Sequence, residues 1–276
     1  MIASFLLSLR EGVEAALIIG IVLAVLGKMS RNELRIPVWQ GAIAAIALSI
    51  LAGLGFNWLG GEFEGRGKEI FEGTAMFIAV IFLTWMIVWL KLQSGSMEKR
   101  LAAQVDKASQ LSKSRKALFG LAFLAVGREG FELAVFLTAI QMTASGFQTI
   151  LGAILGLIAA FVIGWVTFTS SKSLSLRSFF NLTNLLLVLF AAGLLTHGVH
   201  EFNEAGIIPG LIEPVWNINS IVDDHSTFGQ FLVALFGYNG DPSLTEVLAY
   251  GLYLISAFLY LKKTIRLDMD NSTANS

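Results

Sequence analysis

Long apolar runs alternate with short polar stretches along the whole chain. Seven runs stand out, at about 3–27, 37–59, 70–91, 117–140, 147–170, 179–200 and 244–262. A membrane span needs roughly 20 mostly apolar residues, so each run is read as one crossing. The spans must be helices, because lipid leaves no partner for a bare backbone N–H or C=O. The four prolines (Pro37, Pro209, Pro214 and Pro242) fall at or outside the ends of the runs, where the lost N–H costs least. No Lys or Arg precedes the first run, and Arg10 and Glu11 interrupt it, so it reads as a retained helix rather than a signal peptide. The pattern therefore predicts an all-α polytopic membrane protein with seven transmembrane helices. It forms one transmembrane domain over 1–266, followed by a polar tail, 267–276.

Composition sharpens this picture. Of the 276 residues 55% are hydrophobic and only 14% are charged, with a mean hydropathy of +0.71. A soluble domain carries about 25% charged residues to wet its surface. The net charge of −1 and the lack of a basic cluster make nucleic acid an unsuitable partner, leaving membrane lipid as the surroundings. The chain has no Cys, which removes disulfides, thiolate metal sites and Cys nucleophiles.

Charge also orients the spans. Three of the polar segments and the tail carry Lys28, Arg31, Arg35, Lys91, Lys99, Arg100, Lys107, Lys113, Arg115, Lys116, Lys172, Arg177, Lys262, Lys263 and Arg266. The opposite side has only Arg66 and Lys68. The positive-inside rule then predicts the N-terminus outside and the C-terminus in the cytoplasm. Acidic residues lean outward, among them Glu62, Glu64, Glu69, Glu201, Glu204, Glu213, Asp223, Asp224 and Asp241, so the outer face attracts cations.

One pentapeptide pattern occurs twice within spans. Arg10-Glu11-Gly12-Val13-Glu14 lies in the first span and Arg128-Glu129-Gly130-Phe131-Glu132 in the fourth, 118 positions on (10 to 128). Three spans separate the copies, an odd number. Spans one to three (about 3–91) and four to six (about 117–200) would therefore be inverted copies, a plan of many secondary transporters, with the seventh helix left over. Charges inside a span are expensive and face a bundle interior or a water-filled path. In each copy the two carboxylates sit at i and i+3 and share a helix face, and the Arg sits four residues before the second Glu. Gly12 and Gly130 are expected to let the two motif helices approach. Four carboxylates and two guanidiniums would then converge with a net deficit that a cation relieves. Oxygen-only ligands suit hard cations such as Mg, Ca, Mn and ferric iron. An Arg–Glu network that only fixes helix packing is the competing reading of the same residues.

The Arg-Glu-Gly-x-Glu pair, the seven spans and the outward N-terminus resemble the oxidase-dependent iron transporters, the family of fungal high-affinity iron permeases and bacterial ferrous iron permeases. The likeness covers nearly the whole chain. The family usually has Leu at the fourth motif position, where this chain has Val13 and Phe131. The resemblance implies that Glu11, Glu14, Glu129 and Glu132 bind iron in transit, supported by Arg10 and Arg128. It implies iron as transported substrate, no bound organic cofactor, and a plasma-membrane location (the inner membrane in a Gram-negative cell). It also implies oxidation of ferrous iron linked to uptake. The chain has no haem or copper signature, so a separate outer-face oxidase or haem peroxidase and an iron-binding accessory protein are the expected partners. Two other functions fit the residues: a permease for another cation such as manganese or lead, and a membrane di-metal carboxylate oxidase. The second is disfavoured because such oxidases use Glu-x-x-His pairs and here the intramembrane pairs are Glu-x-x-Glu.

A second constellation lies at the outer margin. His197, His200, Glu201 and Glu204 fall at i, i+3, i+4 and i+7, one stripe if the sixth helix continues. Glu69 and Glu72 precede the third span at i and i+3. Imidazole with carboxylate suits iron or zinc, so these six residues are expected to collect metal at the outer face. Helix caps and solvated residues are the alternative. Asp223-Asp224-His225 reads as a turn. Met97, Leu101, Val105, Ala108 and Leu111 form an apolar stripe beside basic residues, expected to lie on anionic lipid. The apolar stretch 228–238 is too short to span and is expected to lie at the interface or re-enter. Gly152 and Gly156 form a small-residue pair suited to close helix packing.

Overall fold

The computed structural model describes residues 1–61, 63–93, 97–143, 145–169, 176–224 and 226–274. Glu62, Lys172 and His225, named above for the outer face, the orientation and the turn, lie outside the described residues. The described secondary structure is helical: α1 (Ile2–Lys28), α2 (Arg35–Gly61), α3 (Arg66–Gln93), α4 (Met97–Gln110), α5 (Ser114–Thr143), α6 (Gly146–Thr169), α7 (Leu176–Glu204), α8 (Thr227–Phe236) and α9 (Leu244–Ala274). Four stretches are long and apolar enough to cross a membrane: Asn32–Trp58, Arg66–Val88, Gly146–Thr169 and Phe179–Glu204. α1, α5 and α9, at 27, 30 and 31 residues, are of comparable length. The seven expected runs each fall on one of these long helices.

The chain divides into two compact units. The first comprises Met1–Glu62 and Gln93–Thr183, the second Phe63–Leu92 and Asn184–Ser276.

In the first unit, α1 packs on α6 and α5 packs on α2 through stripes of small residues. α6 offers Gly152, Gly156, Ala160 and Gly164 to α1. A Cβ at Gly156 would lie 2.9 Å from the Leu9 backbone nitrogen, and one at Gly164 would lie 2.8 Å from the Ala16 Cβ. α2 offers Gly41, Ala45, Ser49 and Gly53 to α5, where Gly41 abuts the Phe119 carbonyl and Gly53 faces Ala134. The two stripes correspond position by position (41 to 152, 45 to 156, 49 to 160 and 53 to 164). Small side chains let the backbones close up, and dispersion over that close contact holds helices together where lipid gives no hydrophobic drive. The other face of α6 is bulky and exposed, with Phe147, Ile154, Ile158, Phe161 and Trp165.

Motif glycines pack differently from expectation. A Cβ at Gly12 would sit 2.6 Å from that of Ala160 in α6, and one at Gly130 would sit 2.8 Å from the Ser49 Cβ in α2. Each glycine therefore seats its own helix against a neighbour's small stripe, rather than bringing α1 and α5 together. The motif's fourth residue differs between copies. Val13 is buried with Leu9 and Ala160, whereas Phe131 is exposed and meets Phe56 edge-on at 6.1 Å.

α4 departs from the lipid-surface reading. Leu101, Val105 and Ala108 are buried with Val22 and Leu26 of α1, Leu34, Val38 of α2 and Leu118 of α5. Arg31 reaches back to donate to the Ser109 carbonyl at 3.3 Å. The middle of the apolar stripe of α4 is thus covered by protein, whereas Leu111 at its end is exposed. Its amphipathic pattern was legible, but a stripe of that kind does not say whether lipid or a helix pair will cover it.

In the second unit, α3 meets α7 where Gly73 abuts the Gly198 carbonyl and Phe202, and the Phe77 and Phe202 rings lie 5.3 Å apart. α9 meets α3 through the hydroxyls of Thr84 and Tyr253, 2.8 Å apart.

Candidate metal site

The two Arg-Glu-Gly-x-Glu motifs come together in the first unit, on α1 and α5. Burial is extreme for charged groups: Arg10 is 0% exposed, Glu11 1%, Glu14 5%, Glu129 5% and Glu132 4%. One ligand oxygen each from Glu11, Glu14 and Glu129 lies within 4.8 Å of the other two. Among the described residues this is the only group of three or more His, Asp or Glu side chains so disposed. The i, i+3 spacing explains the pair on α1, since both side chains leave the same face one turn apart.

Compensation of charge is uneven. Arg10 holds both carboxylates of its own helix, Glu11 at 2.5 Å and Glu14 at 2.7 Å. Arg128 holds Glu132 through Nε at 2.8 Å, and its side chain is 32% exposed. Arginine is suited to such burial because its planar guanidinium serves two carboxylates and stays charged. Glu129 lies instead against the carboxylates of α1. Glu132 interacts electrostatically with Glu11 and Glu14 as the fourth carboxylate of the cluster. One oxygen each of Glu11, Glu129 and Glu132 is buried without a hydrogen-bond partner among the described residues. Buried polar atoms are otherwise satisfied in folded proteins, so three orphaned carboxylate oxygens in one place make this cluster the candidate ligand site.

Oxygen donors grouped in this way suit a hard cation, and comparison with known proteins decides the family. Residues 1–267 match the iron permease FTR1 family. The chain belongs to the FTR1 iron permease family. It is 36% identical over 260 residues to the ferrous iron permease EfeU of Escherichia coli O6:K15:H31, covering 94% of each chain. It is 34% identical to the ferrous iron permease EfeU of Yersinia pestis, covering 94% of this chain and 92% of that one. The protein of Escherichia coli K12 named putative inactive ferrous iron permease EfeU is equally similar, at 36%. No solved structure matches. FTR1 membership and the apolar helices make this a membrane protein, and the relatives are named as permeases.

The residues of this FTR1 chain expected at the outer face, His197, His200, Glu201, Glu204, Glu69 and Glu72, lie in the second unit, and the structure engages them in several ways. His200 is clamped, with Nδ1 3.1 Å from Glu246 and Nε2 3.5 Å from Glu204. Glu72 pairs with Lys68 at 3.7 Å. Glu201 interacts electrostatically with Glu69, Glu72 and Glu204. The Nε2 of His197 is buried with no hydrogen-bond partner among the described residues.

Glu246 was missed in the sequence. It is 1% exposed, accepts from Asn239 at 2.8 Å and from the Ser243 hydroxyl at 2.9 Å, and faces His200. Ser243 and Glu246 form a reciprocal cap at the start of α9, each side chain bonding the other's backbone N–H. The Ser-x-x-Glu spacing ahead of an apolar run was the available signal.

Proposed function

We propose that the chain imports iron across the plasma membrane into the cytoplasm, with Glu11, Glu14, Glu129 and Glu132 as the carboxylates that carry it. The observation that supports this most is the buried trio of Glu11, Glu14 and Glu129, in which Glu11 and Glu129 each keep an orphaned oxygen. A hydrated cation shedding water needs replacement oxygens, and a net-negative cluster of carboxylates in a low-dielectric site supplies both ligands and charge. Arg10 and Arg128 position the carboxylates and limit their mutual repulsion.

Seven crossings with the N-terminus outside remain the topology that fits the charge distribution. The inverted-repeat reading gains support from packing. Gly12 meets Ala160 as Gly130 meets Ser49, and Ala16 meets Gly164 as Ala134 meets Gly53. Each contact maps onto the other when α1 is exchanged with α5 and α6 with α2. Rearrangement of the two copies about the carboxylates then opens the site to one side at a time. His197, His200, Glu201, Glu204, Glu69 and Glu72 form an acidic outer margin that concentrates cations. A separate outer-face oxidase or haem peroxidase, with an iron-binding accessory protein, supplies the oxidation linked to uptake.

The test is radiolabelled iron uptake by cells stripped of their own importers and supplied with the outer-face partners. Wild type takes up iron, and Glu11→Gln and Glu129→Gln at equal membrane expression do not. Uptake surviving both changes returns the motifs to a packing role. Manganese competing equally with iron would make the protein a broader cation permease.

A further inference from the structure

The four motif glutamates are unequal, and resting on the reading above we propose that they act in sequence. Glu11, Glu14 and Glu129 form the site that holds the cation, and Glu132 with Arg128 is the next station on its way out. Three observations carry this. The convergent trio takes two carboxylates from α1 and only one from α5. Glu132 stands beside that trio with one oxygen on Arg128 and the other orphaned, a ligand in reserve. The two arginines differ in exposure: Arg10 is fully enclosed between Glu11 and Glu14, whereas the Arg128 side chain, which holds Glu132 through Nε, is one-third exposed. A guanidinium that is partly exposed can turn away at smaller cost than one that is fully enclosed. Swinging Arg128 outward bares Glu132, adds a fourth carboxylate on one side of the cation, and draws it from the trio toward that edge. Arg128 is thus a positioning residue for release.

Equilibrium binding and transport separate under this scheme. Ferrous iron binding to the purified full chain is measured without oxygen, alongside cellular uptake. Glu129→Gln weakens the Kd at least ~30-fold, the loss expected when one charged ligand of a buried site is removed, about 2 kcal/mol. Glu132→Gln leaves the Kd within ~3-fold of wild type while uptake falls at least ~10-fold. Arg128→Lys, which keeps the charge and any fold it supports, retains binding and slows uptake. Equal loss of binding in Glu129→Gln and Glu132→Gln overturns the sequence of stations and leaves a four-ligand permease. Wild-type uptake in Glu132→Gln overturns it as well. A wild type that binds no ferrous iron overturns the permease-site reading beneath it.

A separate observation concerns the chain between α7 and α9. Gly237, in the left-handed conformation at the end of α8, packs backbone to backbone on Gly193 of α7, its Cα 2.6 Å from where a Gly193 Cβ would be. The start of α9 lies higher on α7, because Glu246 meets His200. Gly193 is seven residues from His200, about 10 Å along a helix. The two strands of chain between these levels satisfy each other: Leu244 donates to Ile212 (3.0 Å), Val215 to Pro242 and Ile218 to Gly240 (both 2.9 Å). Irregular backbone at membrane depth requires this kind of internal pairing. Ile221 and Phe228, 81% and 63% exposed, are apolar side chains suited to lipid contact. The geometry points to a re-entrant loop, residues 212–244, that dips about 10 Å into the outer leaflet. It encloses a cavity of about 380 Å³ against α7, lined by Thr196, Trp216, Tyr238, Asn239, Glu246 and Tyr250.

The absence of native Cys makes a single-Cys scan direct. Ile207→Cys, Ile221→Cys and Asn239→Cys are placed in intact cells and treated with a small and a bulky membrane-impermeant thiol reagent. Re-entry predicts rapid labelling at 207 by both reagents. It predicts labelling at least ~10-fold slower at 221 by both, and at 239 by the bulky one, a rate ratio that reflects restricted access. Equal rates at all three positions with the bulky reagent overturn re-entry and place the loop in water.

Discussion

Replacing Arg10 is far more damaging than replacing Arg128, although the two occupy the same place in their motifs. Arg10→Gln strips the counter-charge from two carboxylates that are almost wholly enclosed, Glu11 and Glu14. Removing one partner of a buried ion pair costs about 3–5 kcal/mol, because the remaining charge is left without water or partner. Arg128→Gln removes the pair with Glu132 from a guanidinium that is 32% exposed rather than enclosed, for a loss of about 1 kcal/mol. Each kcal/mol moves the melting temperature of a chain near this size by about 2–4 °C, giving a fall of roughly 6–20 °C for Arg10→Gln and roughly 2–4 °C for Arg128→Gln. The assay is thermal unfolding of purified protein in one detergent at one pH. Neutralising a carboxylate as well, in Arg10→Gln/Glu14→Gln, restores at least half of the loss. Equal falls for the two single variants, or no rescue in the double variant, would refute the reasoning from burial.

Further outcomes follow from other contacts. Gly12→Val drives a branched side chain into Ala160, with overpacking of about 1–3 kcal/mol, whereas Gly55→Ala, which meets nothing within 4 Å, is neutral or mildly stabilising by the same melting assay. Leu101→Ala leaves a void under α4 and costs about 2–5 kcal/mol in thermal stability. Were that face on lipid instead, the variant would melt like wild type. Ser243→Ala removes the cap of α9 and costs about 1 kcal/mol, seen as a lower melting temperature and faster amide exchange in the first turn of α9.

Much of the helical layout was legible because span length is fixed by the bilayer and the apolar runs are long. The meeting of the two charged motifs was legible for a related reason: an intramembrane charge is too costly to be incidental, and a repeated one doubly so. Sequence periodicity could show that Glu11 and Glu14 share a face. It could not show that Glu129 completes the trio while Glu132 is held by Arg128, since that depends on how α1 and α5 face each other. The glycines were read as bringing the motif helices together, but a small residue marks a close approach without naming the neighbour, and the neighbours are α6 and α2. The stripe of α4 was assigned to lipid for the same reason. The pairing of His200 with Glu246 was not legible, because the two lie 46 positions apart, beyond any helical spacing.

X-ray absorption at the iron edge, on purified protein loaded with one ferrous iron per chain, tests the central claim most directly. Iron held by Glu11, Glu14 and Glu129 shows a first shell of oxygen alone, without the outer-shell scattering of an imidazole ring, and the bound iron is lost in Glu129→Gln. A spectrum with imidazole scattering that persists in Glu129→Gln would place the iron at the outer histidines and contradict the account.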